Sequence, residues 1–311
     1  MGINSKIEWT ENTMNPWIGC ARISPACDHC YAADLSARTF KVKWGAGEAR
    51  KRTSESYWKQ PLKWDAEAAK AGVRTRVFCA SLADVFDNEV PVQWRVDLLY
   101  LIDRTPNLDW MLLTKRIGNA QKMLDEAKSY IGTFAVNTPN VHLGITICNQ
   151  AEADRDIPKL LATSAAKRFL SIEPMLGPID LNLGYRNDIW REDSSGRPLP
   201  LRKIDLVIAG GESGPHARPS HPDWFRSLSD QCAAANVPFM FKQWGEWCPR
   251  GPESMGYASV EGVKRIRLTD AGYNGSDLAS DGDNHVWMNR AGKRVAGRLL
   301  DGVEHNGRIA L

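Results

Sequence analysis

The sequence has no apolar run approaching the roughly 18 residues a membrane span requires. Its opening segment Met1–Trp9 (MGINSKIEW) lacks an apolar core of the signal-peptide kind. The expectation is a soluble, unexported, cytoplasmic protein with no membrane partner. Neither sign of charge dominates: 40 basic residues against 37 acidic ones leave +3, too little to argue for a polyanionic partner from the total. Disulfide-like spacing is missing too, because the seven cysteines are odd in number and unevenly placed. No Ser-His-Asp arrangement, His-Glu-x-x-His motif or internal repeat is present. The six histidines (His29, His142, His216, His221, His285 and His305) do not fall at metal-ligand spacing. The 311 residues are 43% hydrophobic and 25% charged, which excludes a disordered, collagenous or coiled-coil chain. This length buries about three quarters of the unfolded surface without staples.

What the sequence does contain is alternation. Short apolar runs recur at Arg76–Asp84, Asp109–Arg116, Val141–Gln150, Lys167–Pro174, Asp205–Gly214 and Pro238–Trp247. Near-continuous apolar runs of this length suit strands covered on both faces. Between them, Val92–Arg104, Asn119–Ile131, Ala151–Ala162 and Asp223–Asn236 carry apolar residues at helical period. Strand–helix alternation implies right-handed crossovers and a parallel sheet. The expected fold is an α/β partial or full (β/α) barrel of parallel strands, with a doubly wound open sheet as the alternative. The barrel domain is expected over 1–247, its first strand in the extended segment Thr13–Ile18. Gly184–Lys203 reads as a surface loop. Ten of the 25 glycines fall in 251–311. We therefore expect a small glycine-rich extension over 248–311, with strand-like pieces at Val286–Met288 and Lys293–Leu300.

Each run ends in polar or small residues: Ser81 and Asp84, Thr114 and Lys115, Thr146 and Asn149, Ser171 and Glu173, Glu212 and Ser213, Lys242 and Gln243. In a barrel these C-terminal strand ends converge on one mouth, where active sites sit.

Cys20, Cys27 and Cys30 have the spacing C-x6-C-x2-C. Three thiolates on one loop can hold three irons of a 4Fe-4S cluster and leave the fourth open. A Cys₃His zinc site with His29 and three unligated thiols are the competing readings. Cys79, Cys148, Cys232 and Cys248 read as small buried hydrophobes, with Cys148 held open for its place at a strand end.

The segments NPWIGC, SPACDHCYA, ASLADVF, LLTKR, LGITICNQ, FLSIEPMLGPIDL, VIAGGESG, VPFMFKQWGEW and AGRLLDG together resemble a phage-associated three-cysteine-motif family of unknown function. That family in turn resembles a divergent branch of the radical S-adenosylmethionine (SAM) superfamily, although the first gap here is six residues where the superfamily usually has three. The resemblance implies a radical SAM-like barrel in which the cluster's open iron chelates SAM. It further implies that one electron cleaves a carbon–sulfur bond and that the resulting 5′-deoxyadenosyl radical takes hydrogen from a substrate. An electron donor is then required, and a phage-encoded protein would work in the host cytoplasm.

Several other residues are candidates. Gly210, Gly211, Glu212 and Ser213 form a glycine-rich turn that is either a plain strand-to-helix loop or, as the resemblance implies, a place where SAM approaches the backbone. Glu173, Lys115 and Lys242 are strand-end charges that either pair with one another or act on substrate and cofactor. Asp84 is a similar candidate. Lys41–Trp64 holds seven basic and two acidic residues with Trp44, Tyr57, Trp58 and Trp64 interleaved. This stretch is either a solvated face with its aromatics packed inward or a site for a nucleotide or nucleic-acid substrate. Two other functions stay open. One is a non-catalytic, zinc-stabilised nucleic-acid-binding protein, in which Arg50, Lys51 and Arg52 meet phosphates. The other is a hydrolase or lyase using strand-end carboxylates.

Overall fold

The computed structural model describes residues 5, 7–131, 139–183, 203–252, 255, 257, 260–270 and 285–309. Apart from Lys203, the loop expected over Gly184–Lys203 lies outside the described residues. The chain divides into two compact units. One holds Met1–Ile145 and Ala162–Arg168, the other Thr146–Leu161 and Phe169–Ala310.

In chain order the strands are β1 (Asn12–Thr13), β2 (Trp17–Ile18), β3 (Lys51–Arg52), β4 (Thr75–Cys79), β5 (Leu108–Thr114), β6 (Val141–Thr146), β7 (Lys167–Ile172), β8 (Leu206–Gly210) and β9 (Phe239–Gln243). Seven of them form one sheet in the order β1-β4-β5-β6-β7-β8-β9. The pairs β1–β4, β4–β5, β5–β6, β7–β8 and β8–β9 are parallel. A sheet whose strands follow chain order, with no reversal at a switch point, is a partial (β/α) barrel and not the doubly wound alternative.

The strands form where apolar runs are buried on both faces. All five residues of β8 (LVIAG) are buried, as are six of the seven in β5 (LDWMLLT). Register places Trp110 beside Val77 on one side and Val141 on the other. The one charge in β5, Asp109, is buried, and Arg74 Nη2 meets it at 2.6 Å. The helices expected between strands are found at Val92–Asp103, Ile117–Ile131, Gln150–Ala162 and Pro222–Ala234. The first buries Val96, Leu98, Leu99, Leu101 and Ile102. The last starts with Pro at its first position behind the capping residue His221, whose Nδ1 accepts from Asp223 N at 3.2 Å.

Two expected strands differ. Thr13–Ile18 is not one strand: Asn12–Thr13 pairs with Val77–Phe78 in the main sheet, whereas Trp17–Ile18 pairs antiparallel with Lys51–Arg52. Pro16, which has no N–H for a ladder, lies between the two pieces. Lys293–Leu300 holds a short helix, Lys293–Ala296, bracketed by Gly292 and Gly297.

In the second unit, β10 (Cys248–Pro249), β11 (Arg265–Thr269) and β12 (His285–Asn289) form an antiparallel sheet in the order β10-β12-β11. It packs Leu268 and Met288 with Ala217 and Trp247. The chain then returns along the free side of β9. Phe241 N donates to His305 O at 3.1 Å, and Gly307 N donates to Phe239 O at 2.9 Å. Arg226 Nη2 and Nε grip Asp301 at 2.6 and 2.7 Å, and Tyr257 Oη donates to the same carboxylate at 2.6 Å. Among the described residues no helix is long and apolar enough to cross a membrane.

Candidate functional site

In the first unit the three cysteines lie on one loop, whose first cysteine sits beside the C-terminal ends of β4 and β5. Asn15 anchors its start: Nδ2 donates to Ser81 Oγ at 3.0 Å, and Oδ1 accepts from Leu82 N at 2.7 Å. Gly19 N continues the pairing onto Leu82 O at 3.0 Å. Cys20 follows immediately and is 9% exposed. Ser24 then caps the single turn Pro25–Cys27 by accepting from Ala26 N, and Cys30 is the residue before the helix Tyr31–Leu35. Arg22 Nη2 donates to Asp28 O at 3.0 Å, which closes the loop on itself.

Arg116, just past β5, reaches this loop. Its Nη1 donates to Cys20 Sγ at 3.2 Å and its Nη2 to Ala21 O at 2.9 Å. Asp84 and Asp87 flank the same guanidinium at 3.5 and 4.0 Å. Burial pushes the Cys20 thiol up to about 11, Asp84 adds to this, and Arg116 pulls the other way. A metal at Cys20 must therefore displace a proton. Asp84 is committed elsewhere: Oδ1 accepts from Thr114 Oγ1 at 2.7 Å, and Oδ2 from Lys115 N at 3.0 Å. It ties the end of β4 to that of β5, and Lys115 takes part through its backbone.

Among the described residues no three His, Cys, Asp or Glu side chains are placed to share one metal ion. A single zinc draws its sulfurs to about 3.8 Å apart, given Zn–S bonds of about 2.3 Å. A 4Fe-4S cluster instead places each thiolate on a different iron, so its ligands stand farther apart. Three cysteine sulfurs, the first buried and met by a guanidinium, are the soft donors that such a cluster takes once deprotonated. Among the described residues the other four cysteines are buried and in no disulfide, as expected for Cys79, Cys232 and Cys248; Cys148, held open above, is buried too.

The second unit gathers the remaining candidates at the ends of β7, β8 and β9. Lys242 Nζ lies 2.7 Å from Glu173 Oε1, with the side chains 15% and 16% exposed. Gln243 Nε2 donates to Glu173 Oε1 and to Ser213 Oγ, both at 3.3 Å, while its buried Oε1 has no partner. The Glu212 carboxylate is buried against Arg218, which donates through N and Nε at 2.8 Å and through Nη2 at 2.6 Å. This pair fixes the turn that carries Ser213.

The glycines of that turn have an internal reason. A Cβ on Gly211 would stand 1.9 Å from Trp244 O, and one on Gly245 would stand 2.1 Å from Glu212 O. The turns after β8 and β9 thus press backbone to backbone, and only glycine fits at either point. A Cβ on Gly210 would approach Glu173 Oε1 and Gln243 O at 3.3 Å.

Within Lys41–Trp64, Val42, Arg50, Pro61 and Trp64 are the buried residues. Arg50 pairs with Asp87 inside the first unit, and Arg52 pairs with Asp97 at 2.8 Å while lying 4.1 Å over the Trp58 ring. Trp64 is buried, and Tyr57 Oη donates to Thr13 O at 3.2 Å. Lys41, Lys43, Lys51, Lys59 and Lys63 remain exposed. Arg116, like Lys115, is a strand-end charge after β5, and its contact with the cysteine loop is what the structure adds. Arg218 is the residue that strand-end reasoning missed, and its only signal was an arginine six residues after Glu212.

A family described as protein of unknown function (DUF5131) matches residues 4–308. No curated protein sequence matches the chain. Among solved structures, a spore photoproduct lyase mutant with bound AdoMet and dinucleoside spore photoproduct is 12% identical. That match covers 93% of this chain and 73% of the other, with a TM-score of 0.39. A second mutant of that lyase, with dinucleoside spore photoproduct, is also 12% identical, covering 93% and 71% with a TM-score of 0.41.

Proposed function

We propose a radical SAM enzyme for this chain, which belongs to the DUF5131 family of unknown function. The observation that carries the reading is the Cys20–Cys30 loop, with three thiols on one short stretch and Arg116 on the first sulfur. Cys20, Cys27 and Cys30 would hold three irons of a 4Fe-4S cluster and leave the fourth for SAM. Once bound and reduced, the cluster supplies one electron that breaks a carbon–sulfur bond of SAM and so starts hydrogen abstraction from the substrate. The chain's own residues bind and orient. Lys242 and Glu173, paired at 2.7 Å, are the strand-end charges of the second unit that would act on cofactor or substrate. Gly210 and Gly211 keep the turn slim, and the Glu212–Arg218 pair holds Ser213 in place for a hydroxyl contact. Lys115 is the cation for an anionic group of the substrate.

The substrate class we propose is a nucleotide or nucleic-acid base, with exposed Lys41, Lys43, Lys51, Lys59 and Lys63 meeting phosphates. The sequence motifs support a phage-associated branch. Seven cysteines with no disulfide among the described residues suit a reducing, cytoplasmic setting in which a reductant is at hand.

Protein purified without oxygen should be brown and carry about four irons and four sulfides per chain. Dithionite and SAM should then yield 5′-deoxyadenosine. The triple change Cys20→Ala, Cys27→Ala, Cys30→Ala should abolish both. A colourless protein holding one zinc would overturn the reading.

A further inference from the structure

We propose that Arg116 is a positioning residue for the cluster: it fixes the Cys20 corner through a hydrogen bond to sulfur and raises the reduction potential. The inference rests on the radical SAM reading and adds a residue to it.

The geometry sets Arg116 apart from a merely structural arginine. Nη2 takes Ala21 O, while the carboxylates of Asp84 and Asp87 stand off at 3.5 and 4.0 Å. Nη1 is turned onto Cys20 Sγ at 3.2 Å, although a thiol sulfur is a weak acceptor. A ligating thiolate is a stronger one, since charge assistance roughly doubles a hydrogen bond. The guanidinium is held from several sides. Its side chain is 8% exposed, Nη2 is fixed on Ala21 O, and Arg116 N donates to Thr114 Oγ1 at 2.8 Å. Arg50 pairs with Asp87 on the far side, so Asp87 does not cancel the charge of Arg116 alone. Hydrogen bonds to cluster sulfurs are one of the levers that set reduction potential. A cation beside the sulfur favours the reduced cluster, which carries one more negative charge. The two effects act in the same direction.

The test uses full-length, anaerobically reconstituted protein: wild type, Arg116→Gln and Arg116→Lys. Electron paramagnetic resonance at poised potentials reads the midpoint. Arg116→Gln should keep its iron but reduce at least tenfold less favourably, a negative shift of about 59 mV for a one-electron couple. Arg116→Lys should recover part of that shift through charge alone. In wild type labelled with ¹⁵N-arginine, the reduced cluster should show nitrogen and exchangeable-proton couplings that vanish in Arg116→Gln. An unchanged potential, or no such couplings in wild type, overturns the inference and leaves the radical reading standing. Should Arg116→Gln fail to fold, the wild-type couplings decide by themselves. A wild type that takes up no iron overturns the radical reading and this inference together.

Discussion

Arg50 Nε lies 2.7 Å from Asp87 Oδ2, with the two side chains 0% and 2% exposed. The arginine that looks most like a phosphate ligand in the basic stretch is thus a buried half of an ion pair, also spending Nη1 on Gly45 O and Glu48 O. Removing one partner of such a pair strands the other charge in a poor solvent, at a cost of about 3–5 kcal/mol. Arg50→Ala should therefore lower the denaturant midpoint sharply, whereas Lys51→Ala, on the surface, should stay within about 0.5 kcal/mol. Equal effects would mean that the Arg50–Asp87 pair is not formed.

The backbone-to-backbone turns make a sharper steric prediction. Gly211→Ala forces a methyl onto Trp244 O, a main-chain atom that has little room to give. The expected loss is about 2–3 kcal/mol. Gly118→Ala is the matched control: it lies in the helix Ile117–Ile131 with nothing within 4 Å of a built Cβ. That change should gain about 0.5–1 kcal/mol from helix propensity. Urea unfolding of both variants decides the point.

For the Lys242–Glu173 pair, the expected readout separates cofactor handling from cluster assembly. Lys242→Met and Glu173→Gln should retain iron, because neither residue belongs to the cysteine loop. Both should lower 5′-deoxyadenosine production by about tenfold or more, the usual scale for losing an oriented polar contact at a reacting centre. Iron lost along with activity would point to a structural role.

Asp301 gives a pH signature. The hydrogen bond from Arg226 is the main reason its carboxyl sits below the ordinary range; burial opposes this, and the Tyr257 hydroxyl helps. A carboxyl held low in the folded state contributes its stability above the unfolded value of about 3.9 and loses it as pH falls through the folded value. The gap in unfolding free energy between wild type and Asp301→Asn should be full at pH 6 and should close on acidification below about pH 4. A gap that does not depend on pH would refute the linkage.

The long elements were legible because their chemistry is local. β8 is apolar end to end and β5 nearly so, broken only by Asp109 and closed by Thr114, since both faces are covered, and the helix at Val92–Asp103 shows its buried stripe in the order of its residues. The two-residue strands were not, because Asn12–Thr13 and Trp17–Ile18 are too short to carry a period. Among the candidate residues, the Lys242–Glu173 pair was anticipated from charges at strand ends. The Glu212–Arg218 pair was not, since it depends on a loop doubling back. Gly211 was read as room for a ligand. What fills that room is Trp244, 33 positions further along, and only three-dimensional closure brings the two together.

The return of 305–307 along β9 bears on how the protein behaves at high concentration. An uncovered outer strand is a template onto which another chain can add. Here the amide of Phe241 and the carbonyl of Phe239 are already taken by His305 and Gly307. At the opposite margin, β1 is only two residues long and offers little length for a foreign strand to grip. Both rims are therefore blunted against fibre-like stacking, so self-association, where it occurs, is expected to proceed through side chains and not by extending the sheet.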